Sequence, residues 1–291
     1  KMSADDPENQ GDGAPRPPPP VPPQPPFPPD TFRAPDIPMP AQPRAGDRQR
    51  MRDARRNVDL DLNRIKRRKR YGMFLTVLTV LFVAFVALPV TWVGAYLFID
   101  PPSNVLMMQR AAEGQTITRY PIPINRVSPH VIRAVIAAED AKFCTHDGFD
   151  VEAIQDAMES NAKGGRRRGG STISQQVAKN LFLWPESSWL RKGFEVYFTA
   201  LIEFMYPKRR IMEHYLNIAE WGDGHFGVEA AARARFGVSA ADLTPLQAAR
   251  LAAVLPSPNR WRADNPGPYV RRRAATIVQR ARVVQNEGAA A

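Results

Sequence analysis

A stretch of 27 residues without a charge, Met73 to Ile99, constrains this chain more than anything else in it. About 20 apolar residues carry a helix across a bilayer. A buried soluble helix of this length would normally show a polar face, and this one has none. Pro89 lies inside the run, which membrane helices tolerate better than soluble ones. Trp92 and Tyr96 lie towards its far end, where amphipathic rings favour the interface. A cleaved signal peptide would be shorter, nearer the N-terminus, and followed by small residues rather than by Asp100-Pro101-Pro102. The basic run Arg64-Ile65-Lys66-Arg67-Arg68-Lys69-Arg70 immediately precedes the span. Basic residues flanking a span stay on the cytoplasmic side. The expectation is a single pass with a cytoplasmic N-terminus and everything beyond about residue 100 outside.

Residues 1–63 are expected to be a disordered tail. Proline dominates residues 15–43, as in Pro17-Pro18-Pro19-Pro20, and little there could build a core. Residues 64–72 form a basic juxtamembrane segment and 73–99 the transmembrane helix. The formal net charge of +11 suits an anionic partner. Topology and acidic lipid headgroups account for much of it, so no nucleic-acid partner is expected. Cys144 is the single cysteine, which excludes an intrachain disulfide.

Residues 100–291 read as mainly α-helical, with no internal repeat and no run of alternating strands. Ser128-Pro129 looks like an N-cap with proline at the first helical position, opening a helix to about Asp140. Further helices are expected over Thr172–Leu183, Trp189–Met205, Arg210–Ala219, and from Val228 to Gly237. Thr244-Pro245-Leu246-Gln247 is a capping box opening one that ends before Pro256.

Three of these helices carry candidate chemistry. In the first, Glu139 follows Ile132 by seven residues and Val135 by four, so it continues their apolar face. A carboxylate there is either a salt-bridged structural residue or a group whose raised pKa suits proton transfer. His146 and the aspartates near it match no recognised metal-ligand spacing. In the second, Gly169-Gly170-Ser171 precedes the helix start and would free backbone amides for an anion. Thr172, Gln175, Gln176, Lys179 and Asn180 follow at helical spacing as a polar stripe without an acid. Amides suit sugar hydroxyls and N-acetyl groups, and a lysine suits phosphate. In the third, Arg191-Lys192-Gly193-Phe194-Glu195 places a second acid among aromatic and aliphatic residues.

Taken together and in order, these segments resemble the family 51 peptidoglycan glycosyltransferases. Glu139-Asp140-x-x-Phe143-x-x-His146-x-Gly148-x-Asp150 is similar to their first motif. Gly170-Ser171-Thr172-Ile173-Ser174-Gln175-Gln176-x-x-Lys179-Asn180 is similar to the second, with Ser174 where threonine is usual. Arg191-Lys192-x-x-Glu195 and Arg210-Ile211-x-Glu213-x-Tyr215-Leu216-Asn217 resemble the third and fourth. Glu220-Trp221-Gly222-x-Gly224 resembles a stretch typical of monofunctional members. The likeness spans about residues 102–285, and an ordered set is far more specific than any one motif.

The resemblance implies a mainly α fold with a lysozyme-like, two-lobed glycosyltransferase domain over residues 100–291, preceded by one transmembrane helix. It implies polymerisation of lipid II into β-1,4-linked glycan strands for the cell wall, with release of undecaprenyl diphosphate. Glu139 and Glu195 would be catalytic. Ser171, Thr172, Gln175, Gln176, Lys179, Asn180, Arg191 and Lys192 would bind substrate. No cofactor follows with certainty: a divalent cation such as Mg2+ could assist Glu195, and metal ligands are unknown. Partners would be lipid II, the growing strand, membrane lipids and, through the tail, cell-wall synthesis or division proteins. The place would be the bacterial inner membrane, with the catalytic domain periplasmic.

Two other readings compete. A lysozyme-like hydrolase also needs a glutamate, but not the Gly-Gly-Ser-Thr start or Lys179. A membrane-tethered scaffold would not need intact motifs. No transpeptidase activity is expected, because the chain ends soon after Arg282. Ser160-Asn161-Ala162-Lys163 matches Ser-x-x-Lys, but no Lys-Thr-Gly follows.

Overall fold

The computed structural model describes residues 45–162 and 170–284. Its N-terminal helix runs as α1 (Ala45–Phe82), a π-helical turn over Val83–Ala87, and α2 (Leu88–Phe98). It contains an 18-residue window of mean hydropathy 2.6, none of it buried, and is long and apolar enough to cross a membrane. There follow α3 (Val105–Ala112), α4 (Pro129–Glu139), α5 (Val151–Ala162), α6 (Ile173–Phe182), α7 (Trp189–Met205), α8 (Lys208–Ile218), α9 (Val228–Phe236), α10 (Pro245–Val254) and α11 (Pro268–Ala281). The strands among the described residues are β1 (Thr118–Arg119) and β2 (His225–Phe226), paired in parallel. The domain is mainly α, as expected.

One boundary needs correction. Residues 45–63 are helical rather than part of a disordered tail. No proline interrupts the chain between Pro43 and Pro89, and Arg48, Arg50, Arg52, Arg55 and Arg56 with Leu60 and Leu62 favour helix. Contacts divide the chain after Arg68, and the described part of that first unit is this exposed helical stretch. The proline-rich residues 1–44 lie outside the described residues, as do Gly169 and Lys163.

The π-helical turn has a local cause. Pro89 has no amide proton, so it cannot donate to the Phe85 carbonyl one turn back. The Leu88 amide reaches instead to Val83, a wider loop than the α pattern. Tyr197 of α7 donates its hydroxyl to the orphaned Phe85 carbonyl. Below this point α2 is seated on the domain. Val93 is buried, and its carbonyl accepts from the Tyr206 hydroxyl at 2.6 Å. Trp92 sits edge-on to Phe182 at 5.2 Å, and Phe182 stacks on Phe198 at 4.8 Å. Tyr96 stacks on Phe182 too, so the rings expected at the interface also dock the helix. The last carbonyls of a helix lack partners within it. Here Arg210 donates to Tyr96 and Ile99 at 3.0 Å each, and His214 Nε2 to Tyr96 at 2.8 Å.

Helix α6 is the centre of the domain, packed between α7 and α8. Its Ile173, Val177, Ala178 and Leu181 are buried. Helix α4 packs on α10 and α11, and its Val131, Ile132, Val135 and Ile136 are buried. The Ser128 hydroxyl accepts from His130 and fixes where α4 begins. The glycines after Trp221 are structural: Gly222 and Gly224 have φ of +106° and +75°. A side chain on either would collide with a backbone carbonyl, Pro258 and Thr116 respectively.

Candidate active site

Glu139 ends α4 with its side chain 14% exposed, buried enough to lose hydration and open enough to be reached. Its Oε2 accepts from Gln176 Nε2 of α6 at 3.1 Å. Its Oε1 lies 3.5 Å from Arg273 Nη2 of α11. Burial raises its pKa above the usual carboxylate value; Gln176, Arg273 and Lys179 oppose this and Asp140 adds to it. Gln176 is itself oriented, since the buried Tyr215 hydroxyl of α8 donates to its Oε1 at 3.4 Å.

Asp140 is a girder. It accepts from the Ile173 amide at 2.9 Å and bonds His146 Nε2 at 3.0 Å. The Gly148 amide donates to His146 Nδ1 at 3.0 Å, so the neutral ring carries its proton on Nε2 and donates it to Asp140. Thr172 Oγ1 donates to the Gly148 carbonyl at 2.7 Å. The end of α4, the loop after it and the start of α6 are thereby locked together, which fixes Glu139 against Gln176.

This arrangement corrects the expectation of free amides at the start of α6. The Ile173 amide is taken by Asp140. The Gln175 amide is taken by Thr172 Oγ1, and Gln175 Oε1 accepts from the Thr172 amide, completing a capping box. Thr172 and Gln175 are 2% and 3% exposed, and their side chains are engaged in the helix start. Ser174 is buried and donates to Glu203, which Lys208 also holds. Ser171 is exposed just before the cap. Of the stripe, Gln176, Lys179 and Asn180 remain half-buried at the surface of α6.

The second acid sits in a cationic group. Glu195 is 3% exposed, with Oε2 accepting from Arg191 Nη1 at 2.7 Å and Oε1 paired with Lys192. Lys179 feels the charges of Glu195, Arg191, Lys192 and Glu139, and its burial lowers its pKa. It therefore links the two acids electrostatically. With both oxygens of Glu195 engaged by cations, a divalent metal would have to displace one of them. Among the described residues no three His, Cys, Asp or Glu side chains are grouped to hold one. The residues do not fit a metal at Glu195.

Sequence reasoning missed Arg273. It stands in the run Arg271-Arg272-Arg273, and only the packing of α11 on α4 shows which of the three turns inward.

A partly buried carboxylate held by an amide, with three cations gathered on α6 and α7, is an arrangement that suits proton transfer beside an anionic group. A family model described as Transglycosylase matches residues 106–282. A biosynthetic peptidoglycan transglycosylase of Rhodospirillum centenum is 54% identical over 198 residues, covering 68% of this chain and 86% of the relative. Proteins of the same description from Caulobacter vibrioides (53% over 202 residues, 69% and 88%) and Pseudomonas aeruginosa (50% over 200 residues, 66% and 86%) are also similar. The chain belongs to the transglycosylase family.

Proposed function

We propose that this chain polymerises peptidoglycan from lipid II at the inner membrane, with Glu139 as general base. The acceptor sugar's 4-hydroxyl gives its proton to the Glu139 carboxylate. Its oxygen attacks the donor's anomeric carbon from the face opposite the diphosphate. The new β-1,4 bond forms as the bond from that carbon to the diphosphate oxygen breaks, and the electron pair leaves on undecaprenyl diphosphate. Lys179, Arg191 and Lys192 stabilise the charge that develops on the diphosphate. Glu195 acts by holding Arg191 and Lys192. Gln176 and Asn180 offer amides to the sugar. The N-terminus is cytoplasmic and residues beyond α2 are periplasmic.

The observation that carries this reading is Glu139: burial raises its pKa, an amide orients it, and cations stand beside it. A base is most effective when its pKa lies near the working pH. Purified protein incubated with labelled lipid II should yield polymer. Glu139→Gln keeps the shape and an acceptor oxygen, and removes the basicity. It should fold and bind lipid II, yet lose polymerisation by roughly a hundredfold or more. Polymerisation by Glu139→Gln at the wild-type rate would sink the assignment.

A further inference from the structure

The mechanism leaves one charged contact of Glu139 unused. Arg273 reaches from α11 to the end of α4, where its Nη2 lies 3.5 Å from Glu139 Oε1 and donates to the Ala138 carbonyl at 3.4 Å. Its side chain is 27% exposed, and it is the guanidinium that pairs with this acid among the described residues. Gln176 holds the other oxygen from the opposite side. The carboxylate is thus gripped at both oxygens, by a neutral amide on α6 and by a cation on α11. We propose that Arg273 is a positioning residue for the reaction, aiming the Glu139 carboxylate and keeping it ionised while it waits for the acceptor hydroxyl.

The proposal rests on the reading of Glu139 as the base. The groups acting on that carboxylate are countable. Asp140 on its own loop raises its proton affinity. Lys179 and Gln176 on α6 and Arg273 on α11 lower it. Tyr215 on α8 is buried with its phenol held neutral, partly by Glu139 itself. Helix α10 faces α4 with buried alanines and Leu251. Arg273 is the cation nearest the acid, so removing it takes away one of the groups opposing burial and raises the acid's proton affinity further.

The test is the pH profile of kcat/KM for lipid II polymerisation. A base must be ionised, so activity falls on the acid side as Glu139 takes up a proton. In Arg273→Gln that acid limb should move up by about one pH unit, the low end of what a close opposite charge contributes. Activity should then fall about tenfold further below the limb than on the plateau. Arg273→Lys keeps the charge and should return the limb most of the way. Arg273→Ala, which suits a helix, serves equally if the glutamine lowers the melting temperature. An unmoved limb in the uncharged variants, or an equal loss at every pH, overturns the proposal. A wild-type rate in Glu139→Gln would instead remove the base reading beneath it, so the two failures are told apart.

Discussion

Lys179 stands between the two acids, and its protonation reflects that place. Burial lowers its pKa, while Glu195 and Glu139 work to keep it charged. A partly dehydrated ammonium interacts strongly with an incoming diphosphate. Lys179→Ala should reduce polymerisation on the order of a hundredfold, the scale of losing one donor to developing charge. Lys179→Arg should keep part of the activity, because charge survives and the compact ammonium does not. Full activity in the alanine variant, measured with labelled lipid II, would take the lysine out of the site. Lys179 and Glu139 were legible because each stands on a periodic helix, where spacing alone assigns a face. Thr172 and Gln175 share that spacing, yet the capping box turns them inward. Periodicity says which face a residue occupies, and it does not say whether its side chain is already committed to the backbone. Arg273 was illegible for a different reason: the contact joins positions 135 residues apart.

Four of the expected helices carry a side-chain cap. Ser128, Thr172, Ser188 and Thr244 each cap the helix that follows. Helices α3, α5 and α11 were not expected, although Asn104 caps α3, Asp150 accepts from the Ala153 amide at the start of α5, and Pro268 opens α11. The π-helical turn also escaped, although Pro89 is its cause, because the partner that makes it tolerable is Tyr197 on another helix. The grip of α8 on the end of α2 yields a test at this scale. His214 is buried and donates to the Tyr96 carbonyl. Burial first, and Arg210 second, lower its pKa from 6.5 to about 4. The unfolded chain therefore binds a proton between those values that the folded chain refuses. The corresponding stability is complete above pH 6.5 and is lost as the pH falls to about 4, amounting to roughly 3 kcal/mol at most. Melting of the purified protein at pH 7.5 and pH 4.5 should show this loss, and His214→Asn should show a smaller difference between the two. Equal slopes in both proteins would mean that His214 titrates as an ordinary surface histidine.

At the scale of the whole chain, the membrane helix is more than a tether. The carbonyls of Phe85, Val93 and Tyr96 accept hydrogen bonds from Tyr197, Tyr206, and Arg210 with His214, and Trp92 and Tyr96 pack on Phe182 of α6, so α2 and helices α6 to α8 form one packed structure. Under the proposed function, these contacts would set the depth at which a lipid-linked substrate presents its diphosphate. That fits cations on α7, a helix that also exposes Trp189, Leu190 and Phe204. The proposed side of the membrane rests on charge: the basic run Arg64 to Arg70 precedes the apolar span, and such residues favour the cytoplasmic side. The prediction is that a phosphatase active only outside the cytoplasm, fused after Ala291, will be active, while a fluorescent protein that matures only inside will be dark there. Neutralising Arg64, Lys66, Arg67, Arg68, Lys69 and Arg70 together should weaken this bias, giving a mixed population. Fluorescence with an inactive phosphatase in the unaltered chain would reverse the proposed topology.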